Sequence, residues 1–595
     1  MVFNKIINKL RFLLLRFKAA SLQEIVYKIK EYFFILLYSH KNMLSYFCHD
    51  IYHLNEVKLP TFFSSGPVKK DHISYSAFWR QQIENFEASQ HKKSFFRITV
   101  PPNFDIRIAW EGARLQNISA RLITAREAGN EESQAEVLTT AGKHLLAWLA
   151  HNPFPLGPHY VSAMECGLRI PVFILALKRL TGLQEKERQD ITQAIWNHAW
   201  WIEHRLSRFS SRGNHTVCEG LGLIFAGAIF LPIACGQRWL TTGISLLEQE
   251  LPHQILPDGG PVEQAIGYHR FVLDAYWLAL DFLTNNALYD CSGWLSRLQR
   301  GEHFLQFFAL NREEWLQIGD SDDGFVIAPG IVPQRSAVPP PTQFLQTFPE
   351  AGYSVMRGKH GLLVTFDHGP LGMPPLYGHG HADALAITLS IGGRTILVDP
   401  GTYRYNGVPA FRRYFKSTRA HNTVTIDGLD QAVQETGFIW SRPYQATLLA
   451  AGETSQGIFL SAVHDGYARL PQPVWHQRRI FYSDGAMLLI HDTFQGEGFH
   501  TFELNYHCHP EALVKEHHAG WEISRGEVAI FIRFETPGKV CLINGDENPP
   551  FGWFSERYGY KTPCPVLSCR WQGEPSDISF LTAIQFETVG NISLP

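Results

Sequence analysis

The spacing of the apolar residues changes once along this chain, and that change constrains the fold more than any other feature. From about residue 108 to 312 the apolar residues recur at helical intervals, and turn signals such as Asn152-Pro153 and Thr181-Gly182 separate the blocks. The clearest helical blocks are Ala113 to Ala128, Val161 to Leu180, Ile191 to Leu206, Gly220 to Leu231 and Phe271 to Leu283. A succession of helices joined by short loops predicts an all-α layer or ring.

Short runs of alternating β-branched residues follow the Pro-rich segment Ala337 to Pro341. Turn residues separate these runs with no helical block between them, which favours antiparallel sheets packed as a sandwich. The runs are Leu362 to Phe366, Leu385 to Leu389, Thr395 to Val398, Thr423 to Ile426, Arg479 to Tyr482 and Met487 to Ile490. Because 595 residues exceed what one hydrophobic core supports, we predict a helical extension over 1–100, a helical ring over 101–340 and an antiparallel β-sandwich over 341–595.

The first 45 residues predict a basic amphipathic helix, which either contacts a membrane peripherally or docks on the body of the protein. Its longest apolar stretch, Phe12 to Leu15, is too short for a signal-peptide core, and the run from Tyr32 to Tyr38 is far short of a membrane span. We therefore expect a cytoplasmic or membrane-associated protein, with the periplasm as the alternative.

Charge and cysteine content exclude some classes of partner and site. A formal net charge of -3 at pH 7 gives no overall field for capturing polyanions, so we expect no nucleic-acid partner, and local groups must hold any acidic ligand. The cysteines are odd in number, at nine, and form no Cys-x-x-Cys pair, which favours free thiols over a disulfide framework or a thiolate zinc site.

Three blocks in the last part of the chain carry the densest set of polar residues. They are Tyr377-Gly-His-Gly-His-Ala-Asp383, Leu-Val-Asp-Pro-Gly-Thr-Tyr403 and Ser-Thr-Arg-Ala-His-Asn-Thr-Val424. Their order resembles the C-terminal half of the heparinase II/III family, and the helical part agrees through Asp105 to Glu111, Asn214-His215 and Asp258-Gly-Gly260 leading to Tyr268-His269. The resemblance covers about residues 100 to 570 and implies an incomplete (α/α) toroid followed by an antiparallel β-sandwich.

A metal site is predicted from two imidazoles and a carboxylate, which form a usual zinc set. His381, Asp399 and His421 are 18 and 22 residues apart, so we expect them to come from different strands and to converge on one ion. In the family that it resembles, the matching residues bind a structural zinc, and no organic cofactor is implied. A hydrogen-bonded core of His and Asp without metal is the alternative.

The resemblance implies a polysaccharide lyase, which cleaves an acidic polysaccharide or oligosaccharide by β-elimination. The C5 proton of a uronate is weakly acidic until the adjacent carboxylate is neutralised, so an uncharged donor, a base and an acid are required. Asn214 is the predicted carboxylate clamp, His215 the base for one C5 epimer, Tyr268 the acid or base, and His379 a second base or carboxylate binder on the same strand as His381. Heparin-like chains, alginate and other uronates are the implied substrates.

Further residues are predicted to bind substrate. They are Glu219, His269, Arg270, Arg412, Arg413 and Tyr414, with Arg404 as another arginine able to hold a carboxylate or sulfate. Structural roles are the alternative for all of these: Asn-His as a helix cap, tyrosines in the core and arginines on the surface.

Two other function classes remain open from sequence. A glycoside hydrolase on a helical ring would need two facing carboxyl groups, for which Glu165, Glu219, Asp258 and Glu263 are available. A non-catalytic glycan-binding protein of exopolysaccharide metabolism would keep the fold without the joint presence of Asn214, His215, Tyr268 and His379.

Overall fold

The computed structural model describes residues 20–38, 54, 56–64, 77–94, 97–127, 130–311, 314–321, 324–483 and 487–588. The chain divides into two compact units. The helical unit comprises Met1–Gln254, Arg270–Leu298 and Gly324–Ala337, and the sheet unit comprises Ile255–His269, Gln299–Asp323 and Val338–Pro595. Of the predicted 1–45 helix, residues 1–19 and 39–45 lie outside the described part.

The predicted helical blocks are confirmed as helices, with their ends shifted by a few residues. The helices before the sheets are Leu22–Tyr38, Ala77–Gln90, Ile106–Gly112, Gln116–Thr124, Glu131–His151, Ala163–Arg179, Glu185–Glu203, Asn214–Ile229, Ala234–Gln254, Ile266–Asn285 and Ser292–Phe307. Among the described helices, none has both the length and the apolar content that crossing a bilayer requires.

Glycines allow the central helices of the helical unit to pack backbone against backbone. A Cβ on Gly167 would lie 2.2 Å from the carbonyl oxygen of Cys218, and one on Gly222 would lie 2.6 Å from Cα of Gly167. The Ala163–Arg179 and Asn214–Ile229 helices therefore approach too closely for any larger residue at these positions. This packing fixes the helix that begins at Asn214.

Antiparallel strands dominate the rest of the chain, as predicted. In the helical unit, β1 (Phe62–Ser64) pairs with β2 (Ile331–Pro333). The strands of the sheet unit are β3 Leu345–Phe348, β4 Tyr353–Arg357, β5 Leu363–Asp367, β6 Ile387–Ile391, β7 Arg394–Leu397, β8 Val424–Ile426, β9 Val433–Thr436, β10 Ile439–Ser441, β11 Ala446–Thr454, β12 Gly457–Tyr467, β13 Val474–Ser483, β14 Met487–Gly496, β15 His500–His507, β16 Leu513–His517, β17 Gly520–Arg525, β18 Val528–Phe534, β19 Lys539–Asn544, β20 Asp546–Glu547, β21 Pro550–Phe551, β22 Trp553–Phe554, β23 Thr562–Pro563, β24 Pro565–Gly573 and β25 Ser579–Thr588. A short helix, Pro409–Lys416, lies among them.

Three sheets enclose the core of the sheet unit. Their strand orders are β3-β4-β5-β6-β7, β19-β24-β15-β8 and β11-β12-β13-β14-β25-β18-β17-β16. Val364, Leu504 and Ile480, one from each sheet, are fully buried in a single apolar cluster. The alternating burial of β12 and β14 follows from the period of two along a strand, which places every second side chain in this core.

Two segments from the helical part of the sequence belong to the sheet unit. The Asp258 carboxylate accepts hydrogen bonds from the backbone N–H groups of Glu350 and Ala351 at 2.8 and 2.9 Å. Arg357 donates to the carbonyl oxygens of Gln306 and Phe307. These bonds tie 255–269 and 299–323 to the sheets, so Tyr268 and His269 lie in the sheet unit although their helix continues into the helical unit.

Candidate functional site

A buried carboxylate, Asp320, organises the polar cluster of the sheet unit. Its oxygens lie 3.0 Å from His379 Nδ1 and 2.9 Å from His381 Nε2, and they accept from both terminal nitrogens of Arg412 at 2.5 and 2.7 Å. Burial alone would raise the pKa of Asp320, but the Arg412 charge and the hydrogen bonds from the two histidines hold that pKa well below its usual value. Asp320 is therefore an anion.

The bond to Asp320 selects the tautomer of His379. A carboxylate can only accept, so Nδ1 of His379 carries the proton and the Nε2 of the neutral ring keeps its lone pair. A carboxylate oxygen of Glu263 lies 4.0 Å from that nitrogen. His379 is 19 % exposed, so its Nε2 has the chemistry of a general base with access to solvent.

Tyr268 and His379, both predicted as catalytic, lie side by side in the sheet unit. Their ring centroids are 4.2 Å apart, and the Tyr268 hydroxyl lies 2.9 Å from the hydroxyl of Tyr405. The Arg412 guanidinium stacks over the Tyr405 ring at 4.7 Å. The two tyrosine hydroxyls share one hydrogen bond, so a proton can pass from one to the other.

The prediction that His379 and His381 share a strand is wrong. Residues 377–386 form turns and irregular backbone, and the strand begins only at Ile387. The two side chains meet because both bond to Asp320 and not because of strand alternation. The strand predicted at Leu385 to Leu389 lies two residues later, at Ile387–Ile391. Leu385 lies in a turn and has a left-handed φ of 63°, which a strand does not allow.

His381, Asp399 and His421 converge as predicted. One ligand atom from each lies within 4.8 Å of the others, and all three residues are buried. They lie in loops instead of in different strands: His381 before β6, Asp399 just after β7, and His421 after a turn of 3-10 helix. Their convergence thus depends on loop packing at the strand ends.

The hydrogen bonds around the two histidines leave lone pairs facing each other. His381 donates through Nε2 to Asp320, and His421 donates through Nδ1 to the Ser417 carbonyl at 2.8 Å. The remaining nitrogens, Nδ1 of His381 and Nε2 of His421, are 3.1 Å apart. Burial lowers the pKa of His381 to about 4 and that of His421 well below its usual value, so both rings are neutral and neither facing nitrogen has a proton.

This arrangement fits a metal ion. Two opposed imidazole lone pairs repel unless a cation lies between them, and outer hydrogen bonds that fix each ring are typical of metal-binding histidines. Asp399 adds an oxygen 3.5 Å from His421 Nε2. Burial raises the pKa of the Asp399 carboxyl well above its usual value, and a divalent cation would reverse that shift by favouring the carboxylate. The residues thus form a possible metal-binding triad.

Several residues predicted to bind substrate are buried in structural contacts. The Tyr414 hydroxyl accepts from the backbone N–H of Gly552, and His269 packs against Phe304 with burial lowering its pKa to about 4. Arg412 donates to Asp320, to the Thr402 hydroxyl and to the carbonyl oxygens of Gly378 and Gly437. The geometry of these residues favours a structural role, in which they hold neighbouring residues in place. Their direct contact with substrate stays a prediction.

Two arginines of the predicted set are more accessible. Arg413 is exposed on the Pro409–Lys416 helix. Arg270 is half-buried in the helical unit, where its guanidinium lies 4.9 Å from the Phe325 ring centroid. Arg404 is buried, with its guanidinium 5.8 Å from the Tyr403 ring. Of the sheet-unit arginines predicted to bind substrate, Arg413 is therefore the exposed one, since Arg404 and Arg412 are buried.

Asn214 and His215 lie in the helical unit, at the start of the Asn214–Ile229 helix. Gly213 precedes them with a φ of 133°, a conformation that L side chains rarely adopt, and this turn aims the first helical residues. Asn214 is buried and His215 is half-buried. The sequence-based placement of this pair at a loop leading into a helix agrees with the structure.

Glu219, on the same helix, is fully buried and holds the loop before it. Its two oxygens accept from the backbone N–H and the hydroxyl of Ser207 at 2.6 and 2.7 Å. Burial raises the pKa of Glu219 to about 8. Glu165 is also buried, in a two-bond ion pair with Arg114 at 2.8 and 2.9 Å. Both carboxyl groups thus stabilise the helical unit internally.

Asp320 and Tyr405 were not predicted from the sequence as site residues. Asp320 follows Gly319 in an acidic loop without helical or strand periodicity, so pattern reasoning gave it no role. Tyr405 lies two residues after a predicted motif block and is one of several aromatic residues there. Only its distance to Tyr268 distinguishes it.

Known proteins match both units. The family model described as "Heparinase II/III N-terminus" matches residues 143–294, and the model "Heparinase II/III-like, C-terminal" matches residues 340–577. The chain is 24 % identical over 408 residues to a heparin-sulfate lyase of Bacteroides stercoris, covering 62 % of this chain and 56 % of the relative. A heparin-sulfate lyase of Pedobacter heparinus is 23 % identical over 265 residues, which are 38 % of each chain. The chain thus spans about half the length of the curated relatives that it matches.

Solved structures share the fold. A crystal structure of heparinase III matches with a TM-score of 0.65 and 15 % identity, covering 97 % of this chain and 93 % of that one. The structure titled "Heparinase III-BT4657 gene product" matches with a TM-score of 0.59 and 18 % identity, covering 89 % and 86 %. The predicted class, an incomplete (α/α) toroid followed by an antiparallel β-sandwich, is therefore confirmed.

Proposed function

We propose, from the premise that this chain belongs to the heparinase II/III-like family, that it is a polysaccharide lyase that cleaves a uronic-acid-containing polysaccharide by β-elimination. The observation that carries the proposal is the pairing of Tyr268 with His379, whose Nε2 keeps its lone pair because Asp320 accepts from Nδ1. The names of the curated relatives, heparin-sulfate lyases, support the same reaction class.

The reaction requires a base and an acid near one sugar ring. The C5–H bond breaks, its electrons form the C4–C5 double bond, and the C4–O bond breaks with its electron pair leaving on oxygen. One group must take the C5 proton, and another must give a proton to the leaving oxygen. A phenol and a neutral imidazole can serve both needs near neutral pH.

Tyr268 is the proposed acid. Its hydroxyl shares a hydrogen bond with Tyr405 at 2.9 Å, so a proton that it gives to the leaving oxygen can be replaced through Tyr405. His379 then takes the C5 proton on Nε2, or Tyr268 takes it and passes it on. Arg412 assists by holding Asp320 ionised, which keeps His379 in the required tautomer.

For Asn214 and His215, in the helical unit, we propose the roles of carboxylate clamp and base. An amide donates hydrogen bonds without competing for the C5 proton, so Asn214 is suited to neutralise the uronate carboxylate. Its place in the first turn of the Asn214–Ile229 helix adds the positive end of the helix dipole, which favours a carboxylate. His215 is the proposed base for the opposite C5 epimer.

Heparin-like polysaccharide is the proposed substrate class. The curated relatives carry that name, and the exposed Arg413 provides a group that binds sulfate or carboxylate in a two-bond geometry. Alginate has uronates but no sulfate. Activity on alginate would therefore show that the enzyme requires uronate and does not require sulfate.

The hydrolase alternative is less well supported. It needs two ionisable carboxyl groups open to the sugar, whereas Glu165 pairs with Arg114 and Glu219 bonds to Ser207. Asp258 is occupied by backbone N–H groups of Gly260, Glu350 and Ala351.

Zinc is the proposed metal at His381, Asp399 and His421. Two imidazole nitrogens and one carboxylate oxygen match its preferred ligands, and bound zinc would join the three loops at the strand ends. We expect about one zinc per chain by elemental analysis, and a lower melting temperature of the sheet unit after chelation. A metal-free preparation with unchanged stability would contradict this assignment.

Absorbance measurements test the proposed reaction. β-Elimination leaves a conjugated C4–C5 double bond, which absorbs in the far ultraviolet and which hydrolysis cannot produce. We expect absorbance to rise with heparin-like chains and not with a polysaccharide that lacks uronate. New reducing ends without absorbance would support a hydrolase, and no change on heparin-like chains, alginate or other uronates would contradict catalysis on this substrate class.

A further inference from the structure

The helix Leu22–Tyr38 exposes an apolar stripe. Leu22, Val26, Ile29 and Phe33 are 76, 44, 50 and 61 % exposed. Their spacing of four, three and four residues places them on one face of the helix. Contiguous apolar surface of this kind is unusual on a protein in water and marks a face that contacts something else.

The opposite, polar face of the same helix is the one that docks on the helical unit. The Tyr27 hydroxyl donates to the Leu206 carbonyl at 2.8 Å, and Glu31 pairs with Arg205 at 3.4 Å. Glu24 is buried and accepts from the Ser210 hydroxyl. At about 100° per residue, Glu24, Tyr27 and Glu31 lie roughly opposite the stripe.

The contacts of the polar face fix the rotation of the helix about its axis. Turning the helix to bury its apolar face would break the bonds of Glu24, Tyr27 and Glu31 and leave Arg205 without its carboxylate partner. The Arg208 guanidinium also lies over the Tyr27 ring, and the Phe209 ring packs against it. The apolar stripe is therefore held outward by specific contacts.

The charge of the adjoining sequence indicates the chemistry of the partner. Residues 1–23 contain five basic residues, Lys5, Lys9, Arg11, Arg16 and Lys18, and no acidic residue. Within the helix, Lys30 is exposed, while both acidic side chains face the helical unit. An apolar stripe combined with an excess of positive charge matches a surface that has an apolar layer beneath a layer of negative charge.

We propose that this face docks on the surface of a lipid bilayer that contains anionic lipids. Leu22, Val26, Ile29 and Phe33 enter the boundary between headgroups and acyl chains, and the positive charge of the sequence attracts the anionic headgroups. The binding is peripheral and reversible, because a single amphipathic face buries little apolar area and the basic residues supply the second attraction. The proposal concerns the location of the protein and is independent of its catalytic activity.

Vesicle cosedimentation of the full chain tests the proposal. Wild type is compared with Ile29→Gln/Phe33→Gln, which removes half of the stripe without changing charge. The matched control is Phe499→Gln/Leu513→Gln, because these side chains of the sheet unit are similarly exposed, at 67 and 65 %. Vesicles of phosphatidylcholine with phosphatidylglycerol are compared with phosphatidylcholine alone, at low and high salt.

Wild type and the control should bind the anionic vesicles, less at high salt, and hardly bind the neutral ones. The stripe variant should bind at least about tenfold more weakly, because two large apolar side chains no longer enter the membrane. Its turnover of soluble polysaccharide should equal that of wild type.

Three outcomes would overturn the proposal. Wild type fails to bind anionic vesicles, the stripe variant binds as well as wild type, or wild type is a dimer that the stripe substitutions convert to a monomer without any effect on vesicles. The last result would assign the stripe to a second copy of this chain.

Discussion

Replacing Asp320 by Asn would test the central feature of the sheet unit, the carboxylate shared by His379, His381 and Arg412. Each Asp320 oxygen accepts from one histidine and from one guanidinium nitrogen. Whichever oxygen becomes the amide nitrogen, that nitrogen faces two donors. The substitution therefore changes no volume but breaks two of four hydrogen bonds and removes the buried charge.

The expected loss of stability follows from burial. The Asp320 side chain is 0 % exposed and that of Arg412 is 2 % exposed, so Arg412 would become a buried charge without its counterion. Breaking such a pair costs about 3–5 kcal/mol. Because the histidines also lose their fixed tautomers, we expect turnover and metal affinity to fall by about 10–100-fold each.

A second buried carboxylate of the sheet unit provides the control. Asp492 accepts from His476 at 2.6 Å and from Arg478 at 2.7 and 3.0 Å, and all three side chains are fully buried. Asp492→Asn should therefore destabilise the protein by a similar amount. Since His476 and Arg478 belong neither to the metal triad nor to the Tyr268–His379 pair, metal content and turnover per folded molecule should be nearly unchanged.

Calorimetric unfolding, elemental analysis and the rise in absorbance on a polysaccharide substrate measure the three quantities. Wild-type turnover and metal content in the folded fraction of Asp320→Asn would contradict this role of Asp320. An equal loss of turnover in both variants would also contradict it, since the loss would then reflect general destabilisation and not the orientation of His379 and His381.

Three further substitutions test the proposed acid, the tyrosine that shares its proton, and the buried carboxyl group of the helical unit. Tyr268→Phe should leave the melting temperature nearly unchanged and reduce turnover to background. Tyr405→Phe should leave a measurable residual rate, because it removes only the group that returns a proton to Tyr268. Wild-type turnover of Tyr268→Phe would exclude that tyrosine as the acid. Burial raises the pKa of Glu219 to about 8, above its unfolded value of about 4.3, so its contribution to stability is complete below pH 4 and is lost as pH rises towards 8. Glu219→Gln cannot ionise, so its melting temperature should fall less between pH 5 and 8 than that of wild type; parallel curves would show that Glu219 does not titrate in this range.

The periodicity of the sequence determined the order of the elements. Helical spacing such as that of Val161 to Leu180 arises within a single element, so it is visible without the tertiary structure. The motif blocks likewise identified His381, Asp399 and His421, because residue type and family order sufficed to select them. Their convergence within 4.8 Å agrees with that selection.

The prediction that His379 and His381 point the same way on one strand was wrong, because both residues lie in a loop. Their side chains are held together by Asp320, a residue distant in the sequence. Asp320 is 59 residues from His379 and 92 from Arg412 in the chain, and no local pattern links such positions. The division of the Ile266–Asn285 helix between the two units is similarly invisible in its uniform helical spacing.

The sequence by itself thus determined which elements form and which residue types are available for chemistry, since both depend on short-range order along the chain. The tertiary structure decided which nitrogen of His379 bonds to Asp320 and which face of the Leu22–Tyr38 helix points outward. Both of these depend on hydrogen bonds to residues distant in sequence, such as Asp320 and Leu206, whose positions only the packing of the whole unit establishes.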